Sequence, residues 1–159
     1  MTEAKTDPIR PTDDEARALA RGLIADARHA ALAVLDPATG APMVTRIALV
    51  PGRDAAPLTL ISTLSSHTAA LAENPACSLL IGEPGAKGDP LTHPRLTLQA
   101  RAEPADKAAL RDHYLSLYPK ATLYYDFGDF GLTRFAPVAG FLNGGFGKAY
   151  RLSPADLLP

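Results

Sequence analysis

The sequence predicts a mainly β fold, a closed antiparallel barrel of six to seven short strands with three helices packed against it. Three observations indicate this class. Strand-like segments dominate the middle of the chain, most of them are close enough in sequence to pair as antiparallel neighbours, and no repeated strand–helix–strand alternation indicates a parallel sheet. The chain has 159 residues, 47% of them hydrophobic and 21% charged, which is enough to build one globular core.

The N-terminal part of the sequence predicts a tail followed by a helix. Residues 1–11 are expected to be a flexible tail, and residues 12–159 a single domain. Thr12 and Glu15 have the spacing of a capping box, in which each side chain accepts a hydrogen bond from the backbone amide of the other residue. Apolar residues at helical spacing then predict a helix over residues 13–29.

Short strands and two further helices are predicted along the rest of the chain. The first two strands are expected to form a hairpin through the turn at residues 36–40. Ser65 is expected to cap a second helix that closes at Asn74-Pro75, and Pro104 to take the first position of a third helix. A loop is expected at residues 82–94, which are rich in glycine and proline. The predicted strands lie at residues 31–35, 43–50, 58–62, 76–81, 95–103 and, as two or three short strands, near 132–135, 138–142 and 149–152.

Composition argues against several classes of partner and site. The formal net charge of −1 argues against nucleic acid or an anionic membrane as the main partner, because both call for an excess of basic residues. Cys77 is the one cysteine of the sequence, and its apolar neighbours indicate core packing rather than a nucleophile. No apolar run reaches roughly 18 residues and the N-terminus has no apolar signal region, so we expect a cytoplasmic protein. No pair of potential ligands has zinc-type spacing, so no metal site is expected.

The candidate binding residues lie where a predicted strand gives way to a helix. A helix N-terminus offers free amides and partial positive charge, and therefore favours a bound anion such as phosphate. A phosphate at this position would favour the protonated form of His67. The same hydroxyls are also typical of an ordinary helix cap, so the segment alone leaves both interpretations open. Its candidate residues are Ser62, Thr63, Ser66, His67 and Thr68.

Arg46 is a cationic candidate on a neighbouring strand. It lies within the apolar run at residues 44–50, and arginine is rarely buried without a partner. Turned inward, its planar guanidinium would need an anion and would suit phosphate oxygens. Turned outward, it would be a surface charge of the strand. Arg95, at the head of another strand, leaves the same two alternatives open.

The order of these features resembles the pyridoxamine 5′-phosphate oxidase-like FMN-binding split barrels, and within them the branch of the haem-utilisation oxygenases. The resemblance covers about residues 20–154, and it rests on the order and spacing of six pieces rather than on any one of them. The pieces are the strand with Arg46, Ser62-Thr63-Leu64-Ser65-Ser66-His67-Thr68, Asn74-Pro75-Ala76-Cys77-Ser78-Leu79-Leu80, Arg95-Leu96-Thr97-Leu98-Gln99-Ala100-Arg101-Ala102-Glu103, Tyr125-Asp126-Phe127-Gly128-Asp129-Phe130 and Gly144-Gly145-Phe146-Gly147-Lys148-Ala149.

The resemblance implies a homodimer that holds FMN between its subunits and acts as an oxidoreductase on a small-molecule substrate. Arg46 matches the family's strand arginine, which contacts the flavin and its phosphate. His67 falls where many relatives carry a phosphate-binding lysine, and Arg95 falls where relatives often have a flavin-contacting glutamine. No catalytic residue follows from the resemblance. The cofactor-binding residues that it implies are Arg46, Ser62, Thr63, Ser66, His67, Thr68 and Arg95.

The sequence departs from the family pattern at substrate and iron positions. Pro51 stands where true pyridoxamine phosphate oxidases carry a substrate-phosphate lysine, and their C-terminal extension has no counterpart here, so oxidation of vitamin B6 is not expected. Haem-degrading relatives bind iron through a histidine near the C-terminus and have a further C-terminal domain, whereas no histidine follows His113 here. Three alternatives stay open. One is a haem-binding or haem-degrading protein, with His29, His93 or His113 as conceivable ligands. The others are a non-catalytic flavin carrier and an empty barrel that only dimerises and binds a partner.

Overall fold

The computed structural model describes residues 7–159, and within this range it forms a nine-stranded sheet with four α-helices and two short 3₁₀ helices. In chain order, the elements are β1 (Ile9–Arg10), α1 (Asp14–Asp26), β2 (His29–Leu35), β3 (Pro42–Ala48), β4 (Val50–Pro51), β5 (Pro57–Ser62), α2 (Ser66–Glu73), β6 (Ala76–Ile81), the 3₁₀ helix Pro90–Thr92, β7 (Arg95–Pro104), α3 (Arg111–Leu117), the 3₁₀ helix Pro119–Leu123, β8 (Phe130–Asn143), β9 (Ala149–Leu152) and α4 (Pro154–Leu157).

The sheet divides into two arms at the long strand β8. Its main path runs β1-β9-β8-β7-β6-β2-β3, and β5, which pairs with β4, also pairs with β8. One edge of β8 pairs with β7, while the other edge pairs with β5 near its start and with β9 near its end. All these pairs are antiparallel except that between β1 and β9. The prediction of a mainly β, split-barrel fold with flanking helices is confirmed.

Two hydrophobic clusters form the core. The larger one lies between α1 and the inward side chains of the sheet, with Leu32 and Leu79 fully buried in it. The smaller one surrounds Tyr114 and Tyr125, whose ring centroids are 5.7 Å apart. Because α3 and the chain after it pack on this second cluster, they are held beside the end of β5, where the candidate site lies.

The outward face of the sheet carries large apolar side chains together with polar and charged ones. Along β2, β3, β6, β7 and β8, side chains alternate between the core and this face, as the two-residue period of a strand requires. Arg46, Ala31, Leu80, Thr97 and Phe141 are cross-strand neighbours in one row of it. Its exposed large apolar side chains are Leu35, Val44, Leu80, Val138 and Phe141, which are 38–66% accessible.

The N-terminal predictions need correction. Helix α1 is capped by Asp13 instead of Thr12, because the Asp13 carboxylate accepts a hydrogen bond from the Ala16 amide at 2.8 Å. The Thr12 hydroxyl instead donates to the Arg151 carbonyl oxygen of β9. The helix ends at Asp26, since β2 already begins at His29. Of the expected tail, residues 1–6 lie outside the described residues, and Ile9–Arg10 forms a strand.

Three predictions further along the chain also differ from the structure. Pro104 ends β7, paired with Thr133, and the third helix begins only at Arg111. The strands predicted at 132–135 and 138–142 are one strand, because β7 pairs with β8 across a bulge that accommodates Pro137 opposite Ala100. Ser65 occupies the N-cap position before α2, as predicted, but its side chain makes no capping hydrogen bond. No helix within residues 7–159 is long and apolar enough to cross a membrane.

Candidate functional site

A cleft of about 290 Å³ lies between β3, the end of β5, the start of α2 and the aromatic residues before β8. We call it the β3–α2 cleft. One side is aliphatic, one side is aromatic, and its polar side chains gather where α2 begins. Its lining residues are Arg46, Ile47, Ala48, Leu60, Ile61, Ser62, Ser65, His67, Tyr118, Tyr124 and Phe130.

Ser62 builds the turn that joins β5 to α2. Its hydroxyl donates to the Asp129 carboxylate at 3.1 Å and accepts from the Leu64 amide at 3.1 Å. Its carbonyl oxygen accepts from the Ser65 amide and from the Thr68 hydroxyl, the latter at 2.5 Å. The hydroxyls of Ser62 and Thr68 therefore already have partners within the protein. Their role in cofactor contact stays a prediction.

The start of α2 presents donors that lack an acceptor within the described residues. The backbone amides of Ser66 and His67 have none, as is usual for the first turn of a helix. Ser65 and Ser66 leave their hydroxyl groups available. Thr63 is exposed, and its amide donates to the Asp129 carbonyl oxygen at 2.8 Å. This grouping favours a negatively charged ligand group.

Arg46 points outward from β3, which decides between the two orientations that the sequence leaves open. Its side chain is exposed, and within residues 7–159 it makes no ion pair or hydrogen bond. It nevertheless lines the β3–α2 cleft beside Ser65 and His67. An unpaired guanidinium at the mouth of a partly apolar cleft is a ready partner for a carboxylate or phosphate.

His67 is half-buried in the first turn of α2 and contacts the neighbouring strand. Its Nδ1 lies 3.0 Å from Oγ1 of Thr45 on β3. Burial lowers the pKa of His67, so the neutral imidazole predominates at neutral pH. The protonated form considered from the sequence would therefore depend on a bound anion.

Three aromatic side chains of the cleft, Tyr118, Tyr124 and Phe130, are absent from the residues selected by sequence. The rings of Tyr124 and Phe130 lie against each other, with centroids 4.9 Å apart. The one signal of these residues in the sequence is the high density of aromatic residues at 124–130. Such a density is as typical of core packing as of a binding site. Only the position of this segment beside β5 shows that its rings face a cleft.

Arg95 lies elsewhere on the outward face of the sheet. Its guanidinium donates to the carbonyl oxygens of Leu91 at 2.9 Å and His93 at 3.3 Å. Strands β2 and β6 separate β7 from β3, so three interstrand steps of about 4.8 Å each lie between Arg95 and Arg46. Within one copy of the chain, Arg95 is not brought into the β3–α2 cleft.

The other histidines lie outside the cleft. His29 is exposed, with Nδ1 3.6 Å from the Glu83 carboxylate. The ring nitrogens of His93 contact the Gly85 amide and the Lys87 carbonyl oxygen, and Nε2 of His113 lies 2.7 Å from the Pro51 carbonyl oxygen. The part of the chain that the structure describes contains no group of three or more His, Cys, Asp or Glu residues suited to a metal ion.

Comparison with known proteins identifies the family. The family model described as pyridoxamine 5′-phosphate oxidase matches residues 16–141, which is most of the chain. The chain belongs to this family. Its expected relation to the pyridoxamine 5′-phosphate oxidase-like split barrels is thereby confirmed.

Two of the three relatives described next carry haem in their names. The chain is 40% identical over 97 residues to the protein named Non-canonical heme oxygenase HOZ, chloroplastic, of Arabidopsis thaliana, a match that covers 57% of this chain and 28% of that protein. The solved heme binding protein from Mycobacterium smegmatis is 28% identical with a TM-score of 0.82, covering 94% of this chain and 61% of that one. A protein of unknown function from Agrobacterium tumefaciens is 31% identical with a TM-score of 0.80, covering 97% of this chain and 66% of that one. The chain thus matches less than two thirds of the length of each.

Proposed function

We propose that this chain binds haem in the β3–α2 cleft. The observation that carries the proposal is that the unpaired Arg46 guanidinium shares one cleft with three aromatic side chains. We call these side chains, Tyr118, Tyr124 and Phe130, the aromatic wall. Haem combines a flat apolar ring with two carboxylates at one edge, so its binding requires this combination of surfaces. The haem-related names of the Arabidopsis and mycobacterial proteins support this choice among the cofactors of the family.

The residues of the cleft fit the two chemical parts of haem. Ile47, Tyr124 and Phe130 offer apolar surface for the ring. Arg46 and the amides at the start of α2 offer donors for carboxylates. When bound, haem would supply an iron centre whose chemistry the surrounding pocket adjusts. At about 290 Å³, the cleft is just below the range of roughly 300–1,000 Å³ that is usual for ligand pockets, so it would cover only part of the ring.

A second copy of the chain would complete the site, and a homodimer is therefore part of the proposal. The outward face of the sheet exposes five large apolar side chains, and Arg46 lies in one of its rows. Apolar surface of this kind is typical of a protein interface. Packing two such faces together would cover the open side of the cleft and would allow Arg95 from the second copy to approach it.

A second candidate is FMN, bound for an oxidoreductase reaction on a small molecule or by a non-catalytic flavin carrier. Its phosphate would suit the donors at the start of α2, which include two backbone amides and the Ser65 and Ser66 hydroxyls. The aromatic side of the cleft would suit the flavin ring. The Asp129 carboxylate next to Ser62 would repel a phosphate and a haem carboxylate alike, so either anion is expected at the Ser66 and His67 end of the donor group.

Absorption titrations of the purified protein with haemin and with FMN test these proposals. We expect haemin to give a saturable shift of its Soret band. Arg46→Gln should raise the dissociation constant by about 10–100-fold, the loss of one hydrogen bond to a charged group. Arg53→Gln is the matched control, because Arg53 is also exposed but lies outside the cleft. Its haemin affinity should equal that of the unmodified protein.

Two results would contradict haem binding at this site. A protein that leaves the Soret band of haemin unchanged but retains the flavin absorption bands of FMN would favour the second candidate. Equal haemin affinities for Arg46→Gln and Arg53→Gln would place haem elsewhere. Once binding is established, adding a chemical reductant in the presence of oxygen separates the remaining roles, since loss of the Soret band indicates haem degradation and its persistence indicates a carrier.

A further inference from the structure

The structure distinguishes His67 from the other three histidines of the chain. His67 lines the β3–α2 cleft, whereas His29, His93 and His113 do not. Both ring nitrogens of His93 already contact backbone groups, and Nε2 of His113 contacts the Pro51 carbonyl oxygen. Of the four imidazoles, only that of His67 stands beside the aromatic wall and the Arg46 guanidinium. We infer that His67 binds the haem iron through Nε2, an inference that rests on the proposed haem function.

Thr45 holds the His67 ring in the orientation that this role requires. Neutral imidazole has one N–H and one nitrogen lone pair. With the proton on Nδ1, His67 donates to the Thr45 hydroxyl at 3.0 Å and leaves its lone pair on Nε2. Within residues 7–159, Nε2 of His67 has no hydrogen-bond partner. Histidines that bind metals almost always donate their other ring N–H in this way, so Thr45 is the positioning residue.

The electrostatic surroundings also suit a neutral ligand. Iron binds the unprotonated nitrogen of imidazole. Burial lowers the pKa of His67 and so keeps this nitrogen unprotonated at neutral pH. A helix N-terminus further disfavours a positive charge on the ring.

The inference is tested on the ferric haemin complexes of the unmodified protein, His67→Ala and His29→Ala. Absorption and electron paramagnetic resonance spectra report the ligand of the iron. We expect His67→Ala to lose the nitrogen-ligand signature and to regain it with added imidazole. His29→Ala, which removes an exposed histidine outside the cleft, should give the spectra of the unmodified protein. His67→Gln offers a second variant of similar size if His67→Ala does not fold.

Thr45→Val tests the positioning role separately. Valine has nearly the shape of threonine but cannot accept a hydrogen bond from the Nδ1–H group. His67 therefore keeps its place but loses the hydrogen bond that orients its ring. We expect weaker haemin binding by roughly 10–100-fold and a shifted iron reduction potential. A merely structural role of Thr45 would leave the reduction potential of the bound haem unchanged.

The outcomes separate this inference from the proposed function. If the unmodified protein does not bind haemin, both are overturned. If it binds haemin and His67→Ala has unchanged spectra, the haem proposal stands and the assignment of His67 is overturned. Loss of the nitrogen-ligand signature in His29→Ala would overturn it equally.

Discussion

Several hydroxyl side chains around the β3–α2 cleft have the same chemistry but different tasks. Ser62 and Thr68 have their hydroxyls engaged in the turn between β5 and α2. Thr59, which is fully buried, donates to the Ala48 carbonyl oxygen at 2.6 Å and ties β5 to the end of β3. Thr45 contacts His67 instead. A hydroxyl group in the sequence therefore indicates a possible ligand contact, and only its partners in the fold show whether it is free.

Cys77 provides a prediction at the scale of one residue. Its side chain packs half-buried against the larger core cluster, which confirms the prediction of core packing. Burial raises the pKa of the Cys77 thiol to about 11, so very little reactive thiolate is present at pH 8. We expect alkylation by iodoacetamide at pH 8 to be roughly a hundredfold slower than for free cysteine. A rate equal to that of free cysteine would contradict the buried environment.

At the scale of elements, the segment between α3 and β8 forms the aromatic wall because two basic residues hold it. Lys107 donates to the carbonyl oxygens of Phe127 at 3.0 Å and Phe130 at 2.6 Å. Arg111 of α3 forms two parallel hydrogen bonds with the Asp126 carboxylate, at 2.9 and 2.7 Å. This pairing lowers the pKa of Asp126. Both contacts fix the connecting segment that leads into β8, whose first residue, Phe130, pairs with Ser62 of β5.

Replacing Lys107 with methionine tests this arrangement. Lys107→Met keeps most of the side-chain length but leaves two carbonyl oxygens without their charged donor. We expect the free energy of unfolding in urea to fall by about 1–3 kcal/mol. We also expect weaker haemin binding, because Phe127 and Phe130 would each lose one of the contacts that fix this aromatic segment. Lys120→Met, at an exposed lysine of the second 3₁₀ helix, is the control and should change neither quantity. Equal stability of the two variants would show that the Lys107 contacts do not support the wall.

At the scale of the whole molecule, the outward face of the sheet is the largest feature that one copy leaves unused. Both Arg46 and Arg95 lie on it, and Leu80 is in the same cross-strand row as Arg46. A stable protein interface buries roughly 1,200–2,000 Å² in total, and a five-stranded face with five exposed large apolar side chains is of the right kind to supply it. The proposed dimer would thus join two arginines that the fold of one chain keeps apart.

The proposed dimer predicts the effect of a charge on this face. Leu80→Lys places an ammonium group at its centre, where the side chain is 47% accessible in one copy. Burying that charge against a second copy would be costly, so we expect the mass in solution to fall from twice 16.7 kDa to 16.7 kDa, as measured by light scattering. Haemin affinity should fall with it. Leu123→Lys changes a leucine that is more exposed and lies away from this face, and it should remain a dimer. A dimeric Leu80→Lys variant would require a different interface.

The extent of sequence-based prediction can be judged from particular elements. The core strands at residues 31–35, 58–62 and 76–81 are close to β2, β5 and β6, because burial on strands leaves a strong apolar pattern. The prediction that Pro104 begins a helix is wrong. Proline has no backbone N–H group, and it is therefore also tolerated at the end of a strand, where no hydrogen bond from that position is needed. Thr12 was wrong as a cap because Asp13 competes for the same position. Local signals of this kind do not decide which of several neighbouring residues begins or caps a helix.

By itself, the sequence determined the mainly β class, the order of its principal elements and the place along the chain where a strand meets a helix among hydroxyls and a histidine. These properties depend on local periodicity and on residues close together in the chain. Only the tertiary structure decided that Tyr124 and Phe130 line one cleft with Arg46, that Thr45 contacts His67, and that Arg95 lies three strands away from the cleft. Those relations join residues far apart in sequence, and they arise because β8 pairs with β5, β7 and β9 at once.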